Sequence, residues 1–173
     1  MKVFLDTNVL ASATATRGLC ADVLRTVIEF HNLVVSEHLL AELDTVLKEK
    51  FAATPEGASD VLWLLRQDTT MADARPFADV PLKDPADVAI VSAALNGNAD
   101  VLVTGDKEIV ELKQVGSLAI LTPRQFWDKE RSQPEGPGYG SHARRRDTVD
   151  ILGRRNTSAR EETEGIDQDA NNH

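Results

Sequence analysis

Cysteine is all but missing from this chain: Cys20 stands alone among 173 residues. No intrachain disulfide and no cysteine-rich zinc site is therefore possible. Cys20 falls among helix-type residues and reads as a small apolar side chain rather than a nucleophile. Long apolar runs are also absent, so no segment is expected to span a bilayer. The amino terminus enters a strand directly, without a basic region and a following apolar stretch. No signal peptide is expected, and a cytoplasmic location fits best. A surplus of cations is lacking too: 19 Lys and Arg face 28 Asp and Glu, a formal net charge of -9. Acidity argues against nucleic acid, because phosphate contacts need Lys and Arg. It argues less when acids bind cations, which invert the local charge. The balance neither supports nor excludes a phosphate substrate.

Apolar residues thin out abruptly near Ser132. Residues 1–131 carry them throughout and suit one compact domain. Residues 132–173 are dense in Gly, Arg, Glu, Asp and Asn. Such a tail cannot bury enough apolar surface to offset the entropy of ordering, and disorder is expected there. Its Arg144-Arg145-Arg146 and Arg154-Arg155 runs are interleaved with acids. That pattern reads as a solvated tail rather than an RNA-binding arm.

What is present is an alternation of short apolar runs with helical periodicity. Lys2 to Leu5 reads as a buried strand. Arg17 to Phe30 follows as an amphipathic helix, with Leu19, Val23, Leu24, Val27 and Ile28 at helical spacing. Leu33-Val34-Val35 is a second run, and Ser36 can cap a helix striped by Leu39, Leu40, Leu43, Val46 and Leu47. Thr54 to Gly57 reads as a break, Ser59 to Arg66 as a helix, and Arg75 to Pro81 as irregular. Pro85 opens a helix to about Leu95 with Val88, Ile90, Val91 and Ala94 buried. Val101 to Val103 is a strand, Glu108 to Lys113 a short helix, Leu118 to Leu121 a strand, and Pro123 to Trp127 a last helix. His31 and His38 have no partner at zinc spacing and read as surface or helix residues, and Trp63 and Trp127 as core or interface residues. Strands alternating with helices predict a three-layer α/β sandwich around a mostly parallel sheet.

Four acids stand out in this frame. Asp6 and Asp106 each follow a strand, Glu42 lies on a helix, and Asp87 lies near a helix start. Carboxylates leaving neighbouring parallel strands emerge at one edge, where open α/β sheets place their ligands. Gly105 permits a tight turn that aims Asp106 across the crevice. Each acid also has a plain reading: Asp6 as a turn residue, Asp87 as a capping acid, Glu42 as a solvated helix acid. Together they are more informative, since clustered carboxylates repel one another unless a cation intervenes. Oxygen donors without Cys or His favour Mg²⁺ or Mn²⁺, and Mg²⁺ prefers sites shared with phosphate oxygens.

The segments Phe4-Leu5-Asp6-Thr7-Asn8-Val9-Leu10, Val35 to Leu43, Asp84-Pro85-Ala86-Asp87 and Ala99 to Asp106 resemble, in order and spacing, those of the PIN domain. That metal-dependent nuclease family includes many prokaryotic toxin–antitoxin toxins, and Ile120 to Phe126 resembles the end of the toxin branch. The resemblance implies that Asp6, Glu42, Asp87 and Asp106 hold one or two Mg²⁺ or Mn²⁺ ions. Asn8 and Thr104 match polar positions that orient those acids or a coordinated water. It further implies an endoribonuclease leaving 5′-phosphate ends, a cognate antitoxin that covers the crevice, and a homodimer. Relatives often carry a run of acids after the Asp-Pro, whereas Ala86, Val88 and Ala89 stand here. Asp84 is thus either an auxiliary ligand or a helix cap. Two other functions fit the acids alone: a phosphohydrolase with Asp6 as nucleophile, and a non-catalytic module binding metal or a basic partner.

Overall fold

Runs of Val, Leu and Ile form strands because branched side chains pack well on a pleated surface. A computed structural model describes residues 1–73, 75 and 80–132. Six strands are present among them: β1 (Lys2–Leu5), β2 (Asn32–Ser36), β3 (Thr70–Ala72), β4 (Val101–Val103), β5 (Gln114–Val115) and β6 (Leu118–Leu121). They form one sheet in the order β3-β2-β1-β4-β6-β5. All neighbours are parallel except β5 and β6. Val3 pairs with Leu33 on one side and Val101 on the other, so β1 is central. Successive side chains of a strand point to opposite faces. Val3, Phe4 and Leu5 are all buried, as are Leu33 to Val35 and Val101 to Val103, so both faces are covered.

The covering layers contain α1 (Thr7–Ala15), α2 (Leu19–Phe30), α3 (Glu37–Phe51), α4 (Pro55–Gln67), α5 (Pro85–Asn96), α6 (Lys107–Glu111) and α7 (Pro123–Arg131). The result is the expected three-layer α/β sandwich with a mostly parallel sheet. Its core holds Phe4, Leu5, Leu10, Leu39, Leu40, Leu43, Leu102 and Phe126. Burying each such side chain contributes about 1.5–3 kcal/mol. Ser36 caps α3 through a bond from the Leu39 N–H, as its sequence position predicts.

Several local expectations are corrected. The segment after β1 is α1, ended at Thr16 before α2 begins at Leu19. Its Ala, Ser and Thr content gives a weak apolar stripe, although Val9, Leu10 and Ala11 are buried. Thr54-Pro55 begins α4 rather than breaking the chain: Thr54 accepts from Gly57 N–H, and Pro55 occupies a position whose N–H needs no partner. The strands β3 and β5, three and two residues long, carry no apolar run of their own. In α5 the buried positions are Val91, Ser92, Ala93 and Ala94, with Val88 and Ile90 only half-buried. Its carboxyl-terminal end packs so closely that a Cβ on Gly97 would overlap Val34.

Trp63 is 63 % exposed and belongs to no core stripe. Trp127 is partly buried, with the Arg131 guanidinium 6.0 Å from its ring centre. His31 is not a surface residue: its Nε2 lies 2.9 Å from Glu130 Oε2, joining α2 to α7, with Phe126 edge-on to the ring. Cys20 is half-buried, and burial raises its thiol pKa. No described helix is long and apolar enough to cross a membrane. The tail expectation, beyond residue 132, and most of the irregular stretch Arg75–Pro81 lie outside the described residues.

Candidate functional site

The chain runs from β1 outward to β2 and β3, then returns to place β4 and β6 on the opposite side of β1. A crevice opens where such an order reverses, beyond the carboxyl ends of the strands. Asp6 is the first residue past β1, and Thr104 the first past β4. The Asp6 N–H donates to the Val103 carbonyl at 3.0 Å, carrying the ladder one residue beyond β1. Thr104, fully buried, donates its hydroxyl to Asp6 Oδ2 at 2.7 Å across 98 residues of chain. The same hydroxyl accepts the Asp106 N–H at 3.0 Å. One buried threonine therefore ties two of the predicted acids together.

Asp6 stands at the amino-terminal cap of α1, yet its side chain caps no backbone N–H. Only 3 % of the residue is exposed, and its Oδ1 is buried without a hydrogen-bond partner among the described residues. Burial raises its pKa above the ordinary value. The Thr104 hydroxyl opposes that rise, as does the Thr7 N–H, close by but outside hydrogen-bonding geometry. The charges of Glu42 and Asp106 add to it. Asp87, in the first turn of α5, is raised as well. Partial burial is the first cause there, followed by the charges of Asp106, Asp84, Glu108 and Asp6.

Asp106 and Asp84 have one oxygen committed to the backbone. Asp106 Oδ1 caps α6, accepting from Glu108 N–H at 2.8 Å and Ile109 N–H at 3.2 Å. Asp84 Oδ1 caps α5 through Ala86 N–H at 2.8 Å. These two acids, Asp87, Gly105, Lys107 and Glu108 line an open cleft of about 460 Å³. Neither Asp6 nor Glu42 lines it; Glu42 reaches Asp6 through its charge, and its Oε2 accepts the Thr7 hydroxyl at 2.7 Å. The predicted acids thus share one electrostatic field. Gly105 departs from expectation: a Cβ there would meet nothing, and its backbone lies outside the left-handed region.

Asn8 is exposed on α1 and makes no hydrogen bond to these acids; Thr7, its buried neighbour, makes one instead. The burial periodicity of α1 carries the signal for Thr7, since Thr7, Leu10 and Ala11 share one helical face. Glu108 was also not singled out by the sequence pattern. It follows Asp106 by two residues and faces the same cleft. Among the described residues, no group of three or more His, Cys, Asp or Glu is arranged to hold an ion directly. The donor chemistry nevertheless fits a hard divalent cation. Mg²⁺ keeps several waters and takes only one or two carboxylates directly. An unpartnered Asp6 oxygen among repelling acids is what such a charge would relieve.

Known proteins share this fold. The crystal structure of VapBC2 from Rickettsia felis bound to a DNA fragment from their promoter contains a similar chain. It is 20% identical, with a TM-score of 0.54, covering 70% of this chain and 98% of that one. At that identity the likeness establishes the fold. No curated protein sequence matches significantly. The family model described as PIN domain matches residues 2–108, from the start of β1 to just past Asp106. All four predicted acids fall inside the match, and the chain belongs to the PIN-domain family.

Proposed function

We propose that this chain is a Mg²⁺- or Mn²⁺-dependent endoribonuclease and the toxin of a type II toxin–antitoxin module. The observation that carries this reading is the buried, unpartnered Asp6 oxygen at the sheet's reversal point, within the field of Glu42, Asp87 and Asp106. In this reading Asp6, Glu42, Asp87 and Asp106 hold the cation. Thr104 keeps Asp6 and Asp106 in register, and Asp84, whose second oxygen is free of the cap, assists from the cleft rim. The ion would supply a water of lowered pKa and offset charge on the phosphodiester. Lys107 is the cation lining the cleft and forms no ion pair among the described residues, which leaves it available to a phosphate oxygen.

The partner follows from the same chemistry. An acidic cleft suits a basic segment of an antitoxin, whose Arg or Lys would replace the metal's charge. The similar chain comes from VapBC2, solved bound to a DNA fragment from its promoter, which supports a partner of the toxin–antitoxin kind. We extend the proposal to a homodimer, as in related toxins. The test is cleavage of RNA by the purified chain with Mg²⁺ or Mn²⁺, with end-labelling to identify 5′-phosphate products. Asp6→Asn and Asp106→Asn are each expected to lower cleavage by at least about a hundredfold, as loss of a first ligand does. Undiminished cleavage by the double variant would overturn the site assignment.

A further inference from the structure

We propose that Thr7 is a positioning residue whose hydroxyl sets the Glu42 carboxylate for the divalent cation. The inference rests on the metal-dependent reading above and adds a residue to it. Thr7 is 1 % exposed, so its hydroxyl is closed to water, and its proton goes to Glu42 Oε2 at 2.7 Å. Other helical threonines here behave differently. Thr14, Thr26 and Thr45 each bond a carbonyl four residues earlier, in the preceding turn. Thr7 opens α1 and has no preceding turn to bond. Its hydroxyl is free to reach across to α3.

What it finds there is a long, exposed side chain with several free torsions. Pinning one oxygen of that carboxylate lowers the entropy lost when the other meets a cation. The contact repeats the one at Asp6, where Thr104 also holds one carboxylate oxygen at 2.7 Å. Two buried threonines thus each fix one acid, and each leaves its second oxygen without a hydrogen-bond donor among the described residues. Supporting hydrogen bonds of this kind orient metal ligands.

Mn²⁺ titration of the full chain by calorimetry, without RNA, tests the assignment. Thr7→Val keeps the shape and removes the hydroxyl, and should weaken Mn²⁺ binding about 10- to 100-fold, while Thr7→Ser should stay within about threefold of wild type. In a Glu42→Gln background, Thr7→Val should cost nothing further, because the ligand it positions is gone. Unchanged Mn²⁺ affinity in Thr7→Val, or an equal further loss in Glu42→Gln, would mean that Thr7 only ties α1 to α3, and the proposal fails. Should Thr7→Val not fold, the contrast between Thr7→Ala and Thr7→Ser decides in the same way. Absence of Mn²⁺ binding by the wild-type chain overturns the nuclease reading itself, and this inference with it.

Discussion

Asp6 combines two demands that oppose each other: a carboxylate at the crevice, and a location that burial makes hostile to charge. A carboxyl whose pKa is higher in the folded chain keeps its proton longer there than when unfolded. Its contribution to stability is therefore full below the unfolded value of 3.8 and is lost as pH rises through the folded value. Asp6→Asn removes this titration. Without divalent metal, the variant should gain stability relative to wild type as pH rises above the unfolded value, because burial penalises the charged form that wild type must then carry. Urea unfolding in the presence of a chelator measures it, and a gap that does not change with pH would count against the assignment. The gain in stability should accompany the loss of cleavage, a trade common where function needs a strained site.

At the scale of elements, the placement of α5 depends on its closest approach to the sheet. A Cβ on Gly97 would overlap Val34 Cγ1 of β2 and stand 3.1 Å from Ala72 Cβ of β3. Its φ of -75° suits any residue, so Gly97→Ala tests packing alone. Overpacking here should cost about 1–3 kcal/mol, read as a lower urea midpoint at unchanged slope. Because α5 carries Asp87, the same change should also weaken metal binding. The elements differ in how far their residues announce them. The strands β1, β2 and β4 are legible because a strand buried on both faces is a continuous apolar run. The strands β3 and β5 are not, since pairing to β2 and β6 makes them strands. Short, small side chains hide α1, whose stripe is clear only once its neighbours are in place.

For the whole molecule, the excess of acid is both a signature and a liability. The described acids of the crevice repel one another, and a net charge of -9 adds a diffuse repulsion. The two can be separated. Sodium chloride screens the diffuse part, whereas Mg²⁺ at a hundred times its Kd should add about 2.7 kcal/mol by mass action. Thermal unfolding at matched ionic strength should show that difference in wild type and lose it in Asp106→Asn. Family and sheet were legible from the order of the motifs. The acids could be listed from sequence, but Thr7 and Glu108 required knowing which helix faces meet. The central position of β1 has a consequence for the chain during its synthesis. Its first partner strand, β2, follows within some thirty residues, but its second, β4, begins only at Val101. A ribosome-bound chain therefore holds an open sheet edge and an incomplete set of acids until β4 emerges, so the crevice cannot exist before most of the domain has been translated.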